Sequence, residues 1–153
     1  MLNQRIMGIL VFPAYDRPVF EGFLLMADST AHLIVGVDDD FRVRECLASL
    51  LESAGLFFVV FASAEEFLRS GKLAAAGCLI TDVRMPGMNG IELQHQVRSE
   101  RPELPCIFVS GHFNEETREM AVAGGAFALM DKPFDPEALL QTLHQAMQDS
   151  ALD

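Results

Sequence analysis

Five apolar runs recur along the chain: "LIVGV" (33–37), "LFFVVF" (56–61), "CLIT" (78–81), "CIFVS" (106–110) and "AFALM" (126–130). None alternates strictly between apolar and polar residues, and continuous runs of this kind suit parallel strands covered on both faces. The segments between them carry helical periodicity instead. Val43, Leu47, Leu50, Leu51 and Ala54 share one face of a helix that Gly55 ends. Ser63 and Glu66 form a capping-box pattern for a short second helix closed by Gly71. Asn89 caps a third over about residues 90–99, and Asn114 a fourth, with Glu115 and Glu116 in its first turn. Asp135 and Pro136 open the fifth, whose inner face is Leu139, Leu140, Leu143 and Met147. Strand and helix thus alternate without an internal repeat, which predicts an α/β fold: a doubly wound five-stranded parallel sheet with five helices and right-handed crossovers. Ligands in that architecture bind at the carboxyl ends of the strands, near the reversal in strand order.

The 153 residues suffice for one domain, expected over residues 31–150. Residues 1–30 read as an N-terminal extension, disordered or upstream of the natural start; Met26, which opens "MADSTAHLIVGVDDD", is the expected first residue. The apolar stretch Ile6–Phe12 is cut off by Pro13, short of the roughly 18 residues of a membrane span, and no signal-peptide cleavage pattern follows closely. A net charge of −11 sets the mean field against phosphate backbones, so no direct nucleic-acid contact is expected of this chain. Cys46, Cys78 and Cys106 match neither a disulfide framework nor a metal knuckle and are expected to be buried free thiols in a reducing cytoplasm. His32, His95 and His144 lie at no metal-binding spacing and are expected on the surface or on helices.

Charge becomes informative at the strand ends. Asp38 and Asp39 follow the first strand, Asp82 the third, Ser110 ends the fourth, and Lys132, one of two lysines in the chain, lies just past the fifth. Singly, each has an ordinary role as helix cap, turn former or solvated charge. Together on one sheet edge, three carboxylates would raise one another's pKa unless a cation sat among them. Oxygen ligands with partial hydration suit Mg²⁺. A carboxylate beside Mg²⁺ can attack phosphorus to give an acyl phosphate, with an ammonium and a hydroxyl stabilising the equatorial oxygens.

The runs "VDDD" (37–40), "LITDVRMPGMNGIEL" (79–93), "FVSGH" (108–112) and "DKPF" (131–134), in this order and spacing, resemble the receiver domain of bacterial two-component response regulators. The likeness covers about residues 32–148 and is nearest to receivers that precede LuxR-type helix-turn-helix outputs. It implies the flavodoxin-like receiver fold, Asp82 as phosphoacceptor and a sensor histidine kinase as donor. It also implies Mg²⁺ held by Asp82, by Asp39 directly, by Asp38 through water and by the backbone carbonyl of Arg84. Ser110 stands at the switch hydroxyl and Lys132 at the phosphoryl-pairing lysine, with Lys132–Pro133 cis. Arg84 and His112 occupy positions that tune phosphoryl lifetime, and Phe134 is expected to pack beneath the turn before the last helix. The fourth helix, fifth strand and fifth helix would form the readout and homodimer face.

One departure stands out. The family usually has Tyr or Phe three residues before the lysine, where this chain has Leu129; Phe127, two residues earlier, should point the same way by strand alternation. The signal is therefore expected to run through the fourth helix and its loop. Two other readings share these residues. An aspartyl phosphatase or phosphotransferase would turn over a generic phosphate ester, although no cap-sized insertion exists. A pseudo-receiver would fold as an interaction module and never be phosphorylated. The chain is expected to be a signalling domain, not an enzyme, and either stands alone or belongs to a longer regulator.

Overall fold

The computed structural model describes residues 5–6, 9–10 and 33–152. Strands β1 (Arg5–Ile6) and β2 (Ile9–Leu10) precede β3 (Leu33–Val37), β4 (Phe58–Phe61), β5 (Ala76–Thr81), β6 (Cys106–Ser110) and β7 (Ala128–Asp131). Helices α1 (Phe41–Ser53), α2 (Ala64–Arg69), α3 (Gly90–Glu100), α4 (Glu115–Ala123) and α5 (Pro136–Leu152) follow β3 to β7 in turn. The five expected strands are β3 to β7, all parallel, in the spatial order β4-β3-β5-β6-β7. β1 and β2 add a short antiparallel pair at the β4 edge, where Ile9 lies opposite Val59. Met26 and His32 lie outside the described residues, as does most of the expected extension.

Two apolar layers explain the continuous runs. Val35, Val37, Phe61, Leu79 and Phe108 pack on one face with Phe67, Leu93, Val97 and Ala121 from α2, α3 and α4. Ile34, Val60, Ile80 and Val109 pack on the other with Leu47 and Leu51 of α1 and Leu139 and Leu143 of α5. Alternate residues of one strand thus enter different apolar cores.

Local chemistry sets the helix starts. Asn89 Oδ1 accepts the Glu92 amide while Glu92 Oε1 accepts the Asn89 amide, and Asn114 and Thr117 form the same reciprocal pair for α4. Ser63 caps α2 as expected, but Glu66 reaches past it to the Ala62 amide. Two expectations need correction. Cys46 is exposed: α1 turns Leu47 and Leu51 inward and leaves position 46 on its outer side. Phe127 packs with the α1/α5 core while Leu129 packs with the opposite one. The alternation argument fails because β7 begins at Ala128, leaving Phe127 ahead of the regular strand.

Candidate functional site

Register brings the site together. Val37 pairs with Thr81 across β3 and β5, so the next residues, Asp38 and Asp82, leave adjacent strands at one level. Ser110 pairs with Asp131 across β6 and β7, and the Lys132 amide donates to the Ser110 carbonyl at 3.0 Å. The strand order reverses at β3, placing this edge where an open α/β sheet binds ligands. A cleft of about 710 Å³ opens there, lined among others by Asp39, Asp82, Arg84, His112 and Lys132.

Lys132 Nζ donates to Asp38 Oδ2 at 2.8 Å and to Asp82 Oδ2 at 2.9 Å. The remaining oxygens are also engaged: Asp38 Oδ1 accepts the Asp40 amide at 2.9 Å and Asp82 Oδ1 the Val83 amide at 2.6 Å. Asp38 and Asp82 are only 2 % and 5 % exposed, whereas Asp39 is exposed. Burial pushes the Asp38 carboxyl above its ordinary pKa against the pull of Lys132. Burial pulls the Lys132 ammonium the other way, but the hydrogen bonds it donates to Asp38 and Asp82 outweigh it and hold Lys132 above its ordinary value. Lys132–Pro133 is cis. The buried Ser110 Oγ accepts the His112 amide at 3.1 Å.

The donor set fits a hard divalent cation. Asp38, Asp39 and Asp82 each offer a carboxylate oxygen within 4.8 Å of the others. With all three ionised, the ammonium touching two of them leaves two negative charges uncompensated, the charge of one Mg²⁺, and no sulfur or imidazole joins the set. The structure also shows supports that the sequence reading passed over. Arg44 Nη1 donates to the Asp38 carbonyl at 2.8 Å, and Asp40 caps α1 by accepting the Arg42 amide. The cap was legible as an aspartate just before a helical pattern, but the arginine contact had no comparable signal.

The fold is that of a receiver. The response regulator receiver domain family matches residues 34–144, and the chain belongs to that family. Its domain type serves two-component signal transduction. Among curated relatives, the response regulator protein TodT of Pseudomonas putida is 40% identical over 138 residues, 90% of this chain and 60% of TodT. The transcriptional regulatory protein FixJ of Azorhizobium caulinodans is 38% identical over 115 residues, 75% of this chain and 54% of FixJ. The chain therefore spans between about half and 60% of these relatives' length. Among solved structures, the response regulator StyR matches with a TM-score of 0.71 and 40% identity, covering 79% of this chain and 62% of that one. The chemotaxis protein CheY4 of Vibrio cholerae matches with a TM-score of 0.70 and 29% identity, covering 76% of this chain and 99% of that one. Among the described residues, no helix is long and apolar enough to cross a membrane.

Proposed function

We propose that Asp82 accepts the phosphoryl group of a sensor histidine kinase and that the acyl phosphate switches a protein-binding face. The observation that carries this reading is the Lys132 ammonium bonded to Asp38 and Asp82 at once, beside a third carboxylate. In the transfer, the P–N bond of the kinase phosphohistidine breaks and a P–O bond to an Asp82 carboxylate oxygen forms; the imidazole leaves with the electron pair. Mg²⁺, held by Asp38, Asp39, Asp82 and the Arg84 carbonyl, would neutralise charge on the transferring oxygens. Lys132 would follow the phosphoryl group with a charge-assisted hydrogen bond. Arg84 and His112, exposed at the cleft, would set how readily water reaches the acyl phosphate.

Ser110 supplies the link to the readout face. A hydroxyl is one donor with two acceptor lone pairs, so Ser110 can donate to a phosphoryl oxygen while keeping the His112 amide. That ties the loop ahead of α4 to the phosphoryl group without an aromatic swing at Leu129. Met120 and Val122 on α4 are 47 % and 62 % exposed, and Arg118 on the same helix pairs with Asp131 of β7 at 3.1 Å. The α4–β7–α5 face would form the homodimer. An apolar groove including Phe41, Cys46, Leu50, Pro133 and Phe134 shares Lys132 with the cleft wall and would receive the kinase.

Intact-mass measurement with acetyl phosphate and Mg²⁺ should show one added phosphoryl group, absent with a chelator and absent in Asp82→Asn. A full phosphoryl gain by Asp82→Asn would overturn the assignment.

A further inference from the structure

The backbone that follows Asp82 is held partly from outside. Within the loop over residues 83–89, the Gly90 amide closes back on the Val83 carbonyl at 2.8 Å, and Met85 is buried in the core. A different element reaches the far side. Glu65, in the first turn of α2, accepts the Met88 amide at 2.8 Å through Oε2, across 23 residues of sequence.

Two features separate Glu65 from an ordinary acid complementing a helix dipole. Its neighbour Glu66 turns back to the Ala62 amide of its own helix start, whereas the Glu65 carboxylate leaves the helix. The loop is also shaped to receive it: a Cβ at Gly87 would lie 2.6 Å from Glu65 Oε2, and Gly87 has φ of 76°. The Met88 amide, ahead of the weaker pull of Arg69, holds the Glu65 carboxyl below its ordinary pKa. The bond therefore favours the ionised group.

We propose that Glu65 is a positioning residue of the phosphoryl site, clamping the 83–89 loop and with it the backbone at Arg84 on the cleft wall. The inference deepens the metal-dependent phosphoacceptor reading and rests on it. Glu65 touches neither metal nor phosphoryl group; it acts through the loop. A loop freed from Glu65 must be ordered when the cation binds, so the loss falls on cation affinity rather than on transfer once the site is full.

Two measurements test this on the full chain. In the metal-free, ¹⁵N-labelled protein, the Met88 amide should exchange slowly with solvent, much faster in Glu65→Ala, and close to wild type in Glu65→Gln, which keeps an acceptor oxygen. Calorimetric titration with Mg²⁺ should then show Glu65→Ala weaker by roughly 5- to 10-fold, at or just below the roughly 10-fold floor for partners that bond metal ligands directly, because Glu65 acts one step further out. Glu65→Gln should stay within about 2-fold of wild type. At saturating Mg²⁺ the Glu65→Ala protein should take phosphoryl from acetyl phosphate at the wild-type rate. Glu66→Ala, which loses a local bond of the same helix, should leave Mg²⁺ affinity unchanged. Unchanged Met88 exchange in Glu65→Ala, wild-type Mg²⁺ affinity in that variant, or an equal loss in Glu66→Ala would each overturn the inference. Failure of the wild-type chain itself to bind Mg²⁺ would overturn the parent reading, and the wild-type titration shows that separately.

Discussion

Lys132 does at the residue scale what a bound cation would do for the cluster as a whole. Its ammonium bridges two carboxylates that are almost removed from water, while its own side chain stays 20% exposed. Without it, Asp38 and Asp82 face each other with no ammonium between them, a cost set by desolvation and like-charge repulsion. Lys132→Ala should lower metal-free stability by about 2 kcal/mol, below the 3–5 kcal/mol of a fully buried pair because solvent screens Lys132 and Asp38 can take a proton. Added Mg²⁺ should return part of the loss. Urea unfolding with and without Mg²⁺ measures both, and a Lys132→Ala protein as stable as wild type in the absence of metal would contradict the charge argument.

Elements deliver these side chains by close approach at the start of α3. A Cβ on Gly90 would lie 1.9 Å from the Asp82 carbonyl oxygen, a backbone atom that no rotamer can move. Gly90→Ala must therefore displace the start of α3 or the end of β5, at about 1–3 kcal/mol by analogy with overpacked cores. Thermal unfolding should report a lower Tm, and Mg²⁺ titration a weaker site; an unchanged Tm would mean the helix start yields freely. The parallel strands and helix starts were legible because buried runs and caps are local signals: Asn89 and Asn114 announce their helices within four residues. The strand-end residues were legible because topology gathers them. Less was legible where contacts are non-local or the strand is irregular. Nothing near Glu65 signals Met88, Cys46 sits one position from the buried face, and Phe127 precedes the regular part of β7.

On the proposed reading, the whole molecule separates chemistry from recognition. The acidic cleft lies at the strand ends, and the apolar groove beside it carries Phe41, 62 % exposed at the start of α1. Phe41→Ala should slow phosphorylation by a cognate kinase roughly 10-fold, the scale of losing about 1.4 kcal/mol of docking energy. Phosphorylation by acetyl phosphate, which does not need the groove, should keep its rate. Equal slowing with both donors would place Phe41 in the chemistry instead. The proposed switch turns on which oxygen accepts the phosphoryl group. Borohydride reduction of the phosphorylated protein converts an aspartyl phosphate to homoserine, and peptide sequencing by mass spectrometry then reads its position. The result predicted is homoserine at position 82 alone; homoserine at 38 or 39, or a phosphoryl group resistant to reduction, would contradict it.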